Sequence, residues 1–465
     1  MNRENHHFLD LFFYPESVAI IGATRNQTAL HYHVVANLVK LGFPGKIYPV
    51  NPGADEIVGL KAYPDVKSIE DNIDLAVICV PASKVPGIVK DCVDKKVKGI
   101  TIISGGFSEG GAEGRKVQDD MLRLLRSNGI RAIGPNALSP VNSRNNFIIG
   151  FGPAEPLPQG KLSFVFQSGL YQPRLNWLLH YYHLYLSKLI DLGNKMDINE
   201  VDALEYLAQD PETGVIAIHM ESIAGDARRF MRVLQETTKR KPVIVLKTGR
   251  TAAGAKAASS HTGAIIKSSD VVYDAALKQC GAIRAQGLDE FFDLAKIFEY
   301  LPPLKGNRVA LSALSGGEGV IATDSCQFQG LTLAELSLDT CEKLRPLFPP
   351  WEISVNPFDM GVSMQFYDLD FIYPILLNAL MHDPNVDCLL VQLGGTQPAD
   401  PAKLARLFAS VVERGKPVVA WEVDPVRDRE LSEQMGLNRV PVYPSAERAV
   451  RALGALYRYY CRKGA

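Results

Sequence analysis

The chain has 465 residues, and its 50 Lys and Arg nearly balance its 51 Asp and Glu. This length predicts about three domains, and a net charge of −1 lacks the basic excess of a nucleic-acid-binding protein. The seven cysteines are dispersed and form no Cys-x-x-Cys pair, which favours reduced thiols and argues against a zinc cluster. Neither a signal peptide nor an apolar run of about 18 residues is present. We therefore expect a cytoplasmic protein with no membrane segment and no metal site.

The first third of the sequence repeats short apolar runs that each end in Gly, Pro, Ser or Asn, with helical stretches between them. Such repeated strand–helix units predict a doubly wound parallel sheet with a ligand crevice at the carboxyl ends of its strands. The turn that begins at Gly22 lacks the second and third glycines of a dinucleotide fingerprint. Asn51 and Pro52 stand where an acidic residue would hold a ribose. Both features disfavour NAD, and we expect Arg25 to lie at a helix N-terminus, where it suits phosphate groups.

The middle third contains two candidate sites at strand ends. A strand that begins at Lys161 leads into Ser168 and Gly169, which we expect at a helix N-terminus whose free N–H groups bind an anion. A second strand ends in Glu221, whose carboxylate can accept an imidazole N–H and support positive charge on that ring. His219 would point to the same face as Glu221 and is the weaker histidine candidate. The other histidines have no third partner at metal-ligand spacing.

The segment from Val243 to Ile265 combines a buried-strand pattern with a run of Ala, Gly, Ser and Thr that leads to His261. We expect a loop here, because small side chains let backbone N–H groups approach an anion. Lys247, Arg250 and Lys256 would make this loop electropositive. A lone imidazole on such a loop can accept a group and pass it on.

The last third again shows a strand, a glycine turn and a helix, which predicts a second open sheet. Gly316 and Gly317 lie in this turn, and Glu318 falls in the first turn of the helix. A carboxylate there satisfies the helix dipole and repels phosphate unless a cation offsets it. The helix from Glu447 to Arg462 could pack internally or against a partner.

The run from Lys247 to Gly263, Lys-Thr-Gly-Arg-Thr-Ala-Ala-Gly-Ala-Lys-Ala-Ala-Ser-Ser-His-Thr-Gly, resembles the phosphohistidine segment of the NDP-forming acyl-CoA synthetases. This is the superfamily of succinyl-CoA synthetase, and the resemblance is greatest to the alpha subunit of ADP-forming acetate–CoA ligase. It implies that His261 carries phosphate between an acyl phosphate site and a nucleotide site, with Glu221 as its catalytic partner. It also implies that phosphate is held by two pairs of residues, Ser168 with Gly169 and Gly316 with Gly317.

The turns of the first third resemble the CoA-binding domain of the same superfamily. The residues that match its CoA contacts are Gly22, Ala23, Thr24, Arg25, Val50, Asn51, Pro52, Val80, Pro81, Ser104, Gly105, Gly106, Phe107, Pro135 and Asn136. The resemblance implies an α/β chain with an N-terminal Rossmann-like CoA-binding domain over residues 1–140. Two flavodoxin-like, succinyl-CoA synthetase-like open-sheet domains follow, the phosphohistidine-bearing one over 155–302 and the second, ligase-CoA domain over 306–465.

The implied reaction converts acyl-CoA, phosphate and ADP into a small carboxylic acid, CoA and ATP. No ATP-grasp domain is visible in the sequence, so the resemblance implies a separate beta subunit that binds ATP or ADP with Mg²⁺, in a heterotetramer or another hetero-oligomer. Two alternatives stay open. The chain could be a non-catalytic regulatory subunit that senses CoA or acyl-CoA, or a CoA-dependent lyase or transferase whose chemistry depends on Glu318 and Tyr171.

Overall fold

The computed structural model describes residues 7–169, 171–262, 269–394, 400–422, 424 and 426–464. The chain divides into two compact units, Met1–Gly287 and Leu288–Ala465. The domain predicted over residues 1–140 lies within the first unit, and the domain predicted over 155–302 extends past its end. In the described part of the chain, no helix combines the length and the apolarity that crossing a bilayer requires.

The N-terminal sheet of the first unit has five parallel strands in the order β2-β1-β5-β6-β7. Every residue of β1, β5 and β6 is buried, as expected for parallel strands that are covered on both faces. The strands of this region are β1 (Ser17–Ile21), β2 (Lys46–Val50), β3 (Glu56–Ile57), β4 (Leu60–Lys61), β5 (Leu75–Ile78), β6 (Gly99–Ile102) and β7 (Arg131–Ile133). Its helices are α1 (Asp10–Phe13), α2 (Tyr32–Lys40), α3 (Val85–Asp94) and α4 (Ala112–Ser127), with 3₁₀ turns at Ala82–Lys84 and Ser108–Gly110.

The middle sheet of the first unit has seven strands in the order β14-β13-β12-β10-β11-β8-β9. Five strands are parallel, and a short hairpin extends the edge with β8 antiparallel to β11. The strands are β8 (Val141–Asn142), β9 (Phe147–Ile148), β10 (Gln159–Phe166), β11 (Leu186–Asp191), β12 (Val215–Met220), β13 (Val243–Lys247) and β14 (Ile283–Ala285). The helices are α5 (Leu175–Tyr181), α6 (Glu200–Gln209), α7 (Ala227–Thr238), α8 (Ala252–Thr262) and α9 (Asp270–Gln279), with a 3₁₀ turn at Gln172–Arg174.

A shared core joins these two sheets into one unit. One cluster of buried apolar side chains contains residues of both sheets, and Phe13 of α1 stacks on Tyr206 of α6 with 5.3 Å between the ring centroids. The buried amide of Asn142 donates to the Phe13 carbonyl at 3.0 Å. Since apolar burial is the main stabilising term of folding, this cluster explains why the first two predicted domains pack as one body.

The second unit contains a six-stranded sheet with the order β16-β15-β18-β19-β20, in which β17 pairs with β15. The strands are β15 (Arg308–Ala313), β16 (Thr332–Leu333), β17 (Phe358–Asp359), β18 (Cys388–Gln392), β19 (Val418–Trp421) and β20 (Val442–Tyr443). The helices are α10 (Leu288–Tyr300), α11 (Gly316–Phe328), α12 (Leu338–Leu344), α13 (Met360–Ser363), α14 (Leu369–His382), α15 (Pro401–Glu413), α16 (Arg429–Leu437) and α17 (Ala446–Gly464), with a 3₁₀ turn at Arg345–Leu347.

Helix α10 falls in the second compact unit. It packs against α17, where the Arg448 guanidinium pairs with the Asp293 carboxylate at 2.7 Å. The α17 helix was predicted to pack either internally or against a partner, and it packs internally on α10 and α11, with Leu453 and Leu456 fully buried. The predicted α/β class, a Rossmann-like sheet followed by two open flavodoxin-like sheets, is confirmed.

Candidate active site

The turns that resemble a CoA site all follow the carboxyl ends of strands in the N-terminal sheet, and we call them the crevice turns (residues 22–25, 50–52, 80–81, 104–107 and 135–136). Hydrogen bonds link neighbouring turns. The Gly22 N–H donates to the Val50 carbonyl at 3.0 Å, and the Asn51 amide donates to the Ala23 carbonyl at 2.7 Å. At the other end, the Asn136 N–H donates to the Ser104 carbonyl at 3.0 Å. The fold thus brings all five turns to one edge of the sheet, where open α/β sheets bind ligands.

The crevice turns divide into residues that are exposed and residues that support the backbone. The side chains of Ala23, Val50 and Phe107 are buried, so they shape the turns and present no surface to a ligand. Gly22 has φ +92°, and a Cβ there would lie 2.5 Å from the Cys79 carbonyl oxygen, so only glycine fits this close approach. The prediction for Arg25 needs correction: α2 begins only at Tyr32, so Arg25 lies in an exposed loop and not at a helix N-terminus.

The Arg25 guanidinium is still directed back towards the crevice turns, since it donates to the Gly53 carbonyl at 3.2 Å. A neutral carbonyl is a weak partner for a guanidinium, and an exposed position leaves its other donors accessible to solvent. Charge-assisted bonds to phosphate are stronger than bonds to a neutral acceptor. The geometry at Arg25 therefore fits an anionic nucleotide such as CoA.

Glu109 is a feature of this edge that the sequence reasoning missed. Its carboxylate accepts the Gly106 N–H at 2.6 Å and the Phe107 N–H at 3.2 Å, and it also accepts a hydrogen bond from the Asn194 amide. The only local signal was an acidic residue two positions after Phe107. Glu109 therefore fixes the glycine turn after β6 and ties it to the middle sheet.

The turn at Ser168 and Gly169 follows β10, but it is not the helix N-terminus that the sequence predicted. A 3₁₀ turn at Gln172–Arg174 intervenes, and α5 starts at Leu175. Tyr171 causes part of this difference, because its buried ring stacks on Phe166 with 4.1 Å between centroids and holds the chain against the sheet. An anion at Ser168 would consequently meet a turn and not the aligned N–H groups of an α-helix.

Glu221 immediately follows β12, and the neighbouring strand β13 places the start of the predicted histidine segment beside it. Met220 and Lys247 are registered partners, and the Thr248 N–H donates to the Met220 carbonyl at 3.0 Å. Glu221 itself is buried, with 7% of its surface exposed. A buried carboxylate thus lies at the base of the loop that leads into α8.

Two buried ammonium groups surround Glu221. Burial lowers the pKa of Lys247 to about 8, an effect that the carboxylates of Asp270 and Glu221 oppose. Burial also lowers the pKa of Lys195, and Glu200 and Glu221 counteract it. The two ammonium groups thus lie near two carboxylates, Glu221 and Glu200, and Glu200 pairs with Lys195 at 3.2 Å.

Gln167 and Lys195 are two further residues of this edge that the sequence reasoning did not single out. The Gln167 side-chain oxygen accepts the N–H groups of Glu221 and Ser222, at 2.8 and 3.2 Å. The Lys195 ammonium donates to the same oxygen at 3.0 Å and to the Ser222 carbonyl at 2.7 Å. The turn that carries Glu221 is therefore held from two directions.

His219 lies in the same region but has the environment of a structural residue. Its Nε2 is 3.0 Å from the Thr248 hydroxyl, its ring meets Tyr171 edge-on, and its Nδ1 has no hydrogen-bond partner among the described residues. Burial, assisted by the nearby Lys247 ammonium, lowers the pKa of His219 to about 4. A neutral imidazole with 6% exposure is poorly placed to receive a phosphoryl group.

The segment of His261 was predicted as a loop, and this prediction is wrong for residues 252–262, which form α8. The alanine-rich composition explains the helix, since alanine has the highest helix propensity. Thr251 caps it: its hydroxyl accepts the Gly254 N–H at 3.0 Å, and its carbonyl accepts the Ala255 N–H at 2.8 Å. The backbone of His261 belongs to the last turn, whereas its side chain lies outside the described residues. Helix α8 lies against the 3₁₀ turn Ser108–Gly110, which carries Glu109.

In the second unit, Gly316 and Gly317 form the first turn of α11, as predicted. The Ser315 hydroxyl caps the helix by accepting the Glu318 N–H at 3.3 Å. Burial and the neighbouring Glu447 raise the pKa of Glu318. One Glu318 oxygen is buried without a hydrogen-bond partner among the described residues. No basic side chain in the described ion pairs offsets this carboxylate, so the helix N-terminus carries acidic character of its own.

Comparison with known protein families matches each of the three sheets to a domain family. Residues 16–141 match a CoA binding domain, residues 159–298 a succinyl-CoA ligase like flavodoxin domain, and residues 309–464 a ligase-CoA domain. Together with the crevice turns and the charged edge around Glu221, these matches define a CoA-binding α/β chain of the succinyl-CoA ligase type.

Proteins that are similar to nearly the whole chain define its class more closely. The chain is 38% identical to the acetate–CoA ligase [ADP-forming] I subunit alpha of Pyrococcus furiosus, with 97% of each chain covered. It is 36% identical to acetate–CoA ligase [ADP-forming] II of Archaeoglobus fulgidus, where 97% of this chain aligns with 67% of that protein. A solved structure of Ca. Korarchaeum cryptofilum dinucleotide forming acetyl-coenzyme A synthetase 1, in complex with phosphate and ADP, is 34% identical. It has a TM-score of 0.89, over 98% of this chain and 97% of that one. The chain belongs to the ADP-forming acid–CoA ligases, within the NDP-forming acyl-CoA synthetase superfamily, and is of the alpha-subunit type.

Proposed function

We propose that His261 is the phosphoryl carrier of this ligase and that Glu221 is its catalytic partner. The observation that supports this most directly is the course of α8. The loop before α8 leaves β13 beside Glu221, and the helix itself lies against the turn Ser108–Gly110 at the edge of the crevice turns. The segment that contains His261 therefore joins the charged edge of the middle sheet to the predicted CoA site.

The proposed reaction has two steps on this chain. Phosphate attacks the thioester carbonyl, the carbon–sulfur bond breaks, and CoA leaves as an acyl phosphate forms. An imidazole nitrogen of His261 then attacks phosphorus, the carboxylate of the acid leaves, and the imidazole N–H proton is released. Glu221 supports the positive charge that the ring acquires as the phosphorus–nitrogen bond forms. The ammonium group of Lys247 offsets the negative charge of the transferred group.

The crevice turns would hold the nucleotide part of CoA, with Arg25 on its phosphates. Ser168 with Gly169 and Gly316 with Gly317 remain candidates for phosphate contact. The relatives named above are acetate–CoA ligases, so acetate is the first small carboxylic acid to test. We further propose that a beta subunit with an ATP-grasp fold supplies the ATP or ADP site with its Mg²⁺. The Pyrococcus relative carries the name of a subunit, which supports a partner chain.

The test is acid-labile phosphate on the full-length chain after incubation with acetyl phosphate. His261→Ala should abolish this phosphate and leave CoA affinity unchanged, because the crevice turns lie on another sheet. Glu221→Gln keeps the shape but removes the charge, so phosphorylation should slow about 10²–10⁴-fold. His180→Ala is the matched control, since His180 is an exposed histidine of α5 whose ring contacts only its own helix among the described bonds. It should behave as the wild type.

Three outcomes would each contradict one part of the proposal. Phosphate that persists on His261→Ala would place the carrier on another residue. CoA binding without any chain phosphate, even with ATP and a partner chain present, would instead favour the sensing-subunit alternative, for which the acidic Glu318 at the α11 N-terminus is the structural argument. Robust ATP formation from acetyl-CoA, phosphate and ADP by this chain alone would contradict the need for a beta subunit.

A further inference from the structure

A six-residue segment, Gly193–Ile198, binds the middle sheet to the crevice turns, and we call it the strap. Three of its backbone N–H groups donate to the end of the N-terminal sheet: Asn194 to the Pro135 carbonyl at 2.9 Å, Met196 to Gly134 at 3.0 Å, and Ile198 to Ala132 at 3.2 Å. At Gly193 a Cβ would lie 2.3 Å from the Pro135 carbonyl oxygen. The strap therefore follows the backbone of the last crevice turn in direct contact.

The side chain of Lys195 points the other way, towards Glu221. Its ammonium has 5% side-chain exposure and lies 3.2 Å from the Glu200 carboxylate. Its two other acceptors, the Gln167 side-chain oxygen and the Ser222 carbonyl, both belong to the support of the Glu221 turn. The ammonium therefore forms an ion pair with Glu200 and hydrogen bonds with Gln167 and Ser222.

The backbone of Lys195 is held in an uncommon conformation that directs the side chain there. Its φ is +55°, in the left-handed region that non-glycine residues rarely adopt. The preceding Asn194 is fixed as well, since its amide donates to Glu109, the residue that holds the Gly106 turn, and to Gln118 at 3.2 Å. A strained backbone conformation of this kind is kept only where the surrounding contacts hold it in place.

We propose that Lys195 is a positioning residue: it fixes the turn of Glu221 and, through the strap, couples that turn to the crevice turns around Pro135 and Gly106. Lys195 does not touch the reacting atoms. It acts by limiting where the Glu221 carboxylate can lie relative to α8. The mechanistic part of this inference rests on the proposed function, because it requires that Glu221 serves His261. The structural part stands on the hydrogen bonds alone.

Two variants separate the ammonium from the backbone. Lys195→Met keeps the volume of the side chain, whereas Lys195→Asn keeps a residue that tolerates positive φ and cannot reach Gln167. Lys241→Met is the matched control. Lys241 is also a partly buried lysine of the first unit, and its ammonium donates to two oxygens, the backbone carbonyls of Leu207 and Asp210, at 2.7 and 2.6 Å.

The first measurement is amide hydrogen exchange of the full-length chain. Both Lys195 variants should speed exchange at the N–H groups of Glu221 and Ser222 by about tenfold or more, the effect of losing a charge-assisted bond that supports their acceptor. Lys241→Met should leave these two amides unchanged. Equal exchange at the two amides in the wild type and in both Lys195 variants would overturn the proposal, whatever the phosphorylation result.

The second measurement is phosphorylation by acetyl phosphate. The Lys195 variants should lower the maximal rate about tenfold or more and leave CoA affinity within the range of Lys241→Met. An unchanged maximal rate together with faster exchange would refute the coupling to chemistry. A wild type that gains no phosphate would defeat the proposed function, and the exchange experiment would then decide the structural part by itself.

Discussion

His219 offers a quantitative test of how the two histidines near this edge differ. Its folded-state pKa is about 4, compared with an ordinary value of 6.5, because burial and the Lys247 ammonium disfavour the charged ring. The lowered pKa means that the unfolded chain binds more protons between about pH 4 and 6.5. Stability from this group is therefore present above pH 6.5 and is lost as the pH falls towards 4. The gap between 6.5 and about 4 corresponds to about 3 kcal/mol, at about 1.4 kcal/mol per pH unit.

The perturbation is His219→Gln, which keeps a side-chain N–H near the Thr248 hydroxyl and removes the titration. The assay is urea unfolding of both chains at about pH 7 and about pH 4.5. The wild type should lose about 2 kcal/mol more than the variant between these conditions, since most of the transition lies within them. The His219→Gln variant should still be phosphorylated. If the wild type and the variant lose the same free energy of unfolding on acidification, the assigned pKa is refuted. If His219→Gln is no longer phosphorylated, the structural role of His219 is refuted.

Three further predictions concern the crevice turns, the strap and α8. Arg25→Ala should weaken CoA binding to the full-length chain about tenfold or more in calorimetry, by removal of a charge-assisted phosphate contact, and unchanged affinity would place the phosphates elsewhere. Gly193→Ala should lower the unfolding free energy of the first unit by about 2 kcal/mol or more, because the new Cβ meets backbone at 2.3 Å. Gly281→Ala is its control, with φ +74° but a nearest contact of 3.3 Å to a side chain, and an equal loss in both would refute the clash. Thr251→Ala should destabilise α8 by about 1 kcal/mol, measured as faster hydrogen exchange in that helix, while Thr251→Ser should retain the cap; equal exchange in the two variants would contradict it.

The parts of the fold that could be predicted from the sequence depend on local patterns. Apolar runs that end in glycine or proline identified the parallel strands. Parallel strands end at one edge, so the convergence of turns as distant as Gly22 and Asn136 could be anticipated. Residues 247–263 resemble the phosphohistidine segment of the family along their whole length, with His261 at the position of the family's histidine. Local sequence patterns also led to the incorrect prediction of a loop at 252–262. Small residues are common in both loops and helices, and only the high helix propensity of alanine favours a helix here.

The parts that could not be predicted depend on long-range contacts. Nothing within the sequence near Lys195 indicates that its ammonium meets Gln167 and Ser222, which lie 28 and 27 positions away. Glu109 likewise reaches Asn194, at a separation of 85. The start of α5 after Ser168 was displaced by the packing of Tyr171 on Phe166, a tertiary contact that overrides a helix-start pattern. Residues that support the proposed catalytic groups are therefore harder to predict from the sequence than the proposed groups themselves.

We propose that phosphate passes through His261. The most direct measurement is mass spectrometry that localises phosphate on peptides of the wild-type chain after incubation with acetyl-CoA and inorganic phosphate, with digestion at alkaline pH to preserve a phosphorus–nitrogen bond. We expect a single phosphate on the peptide that contains His261, and we expect acid treatment to remove it. Phosphate on another residue, or an unmodified His261 peptide in a chain that converts acetyl-CoA and phosphate to acetate and CoA, would contradict it.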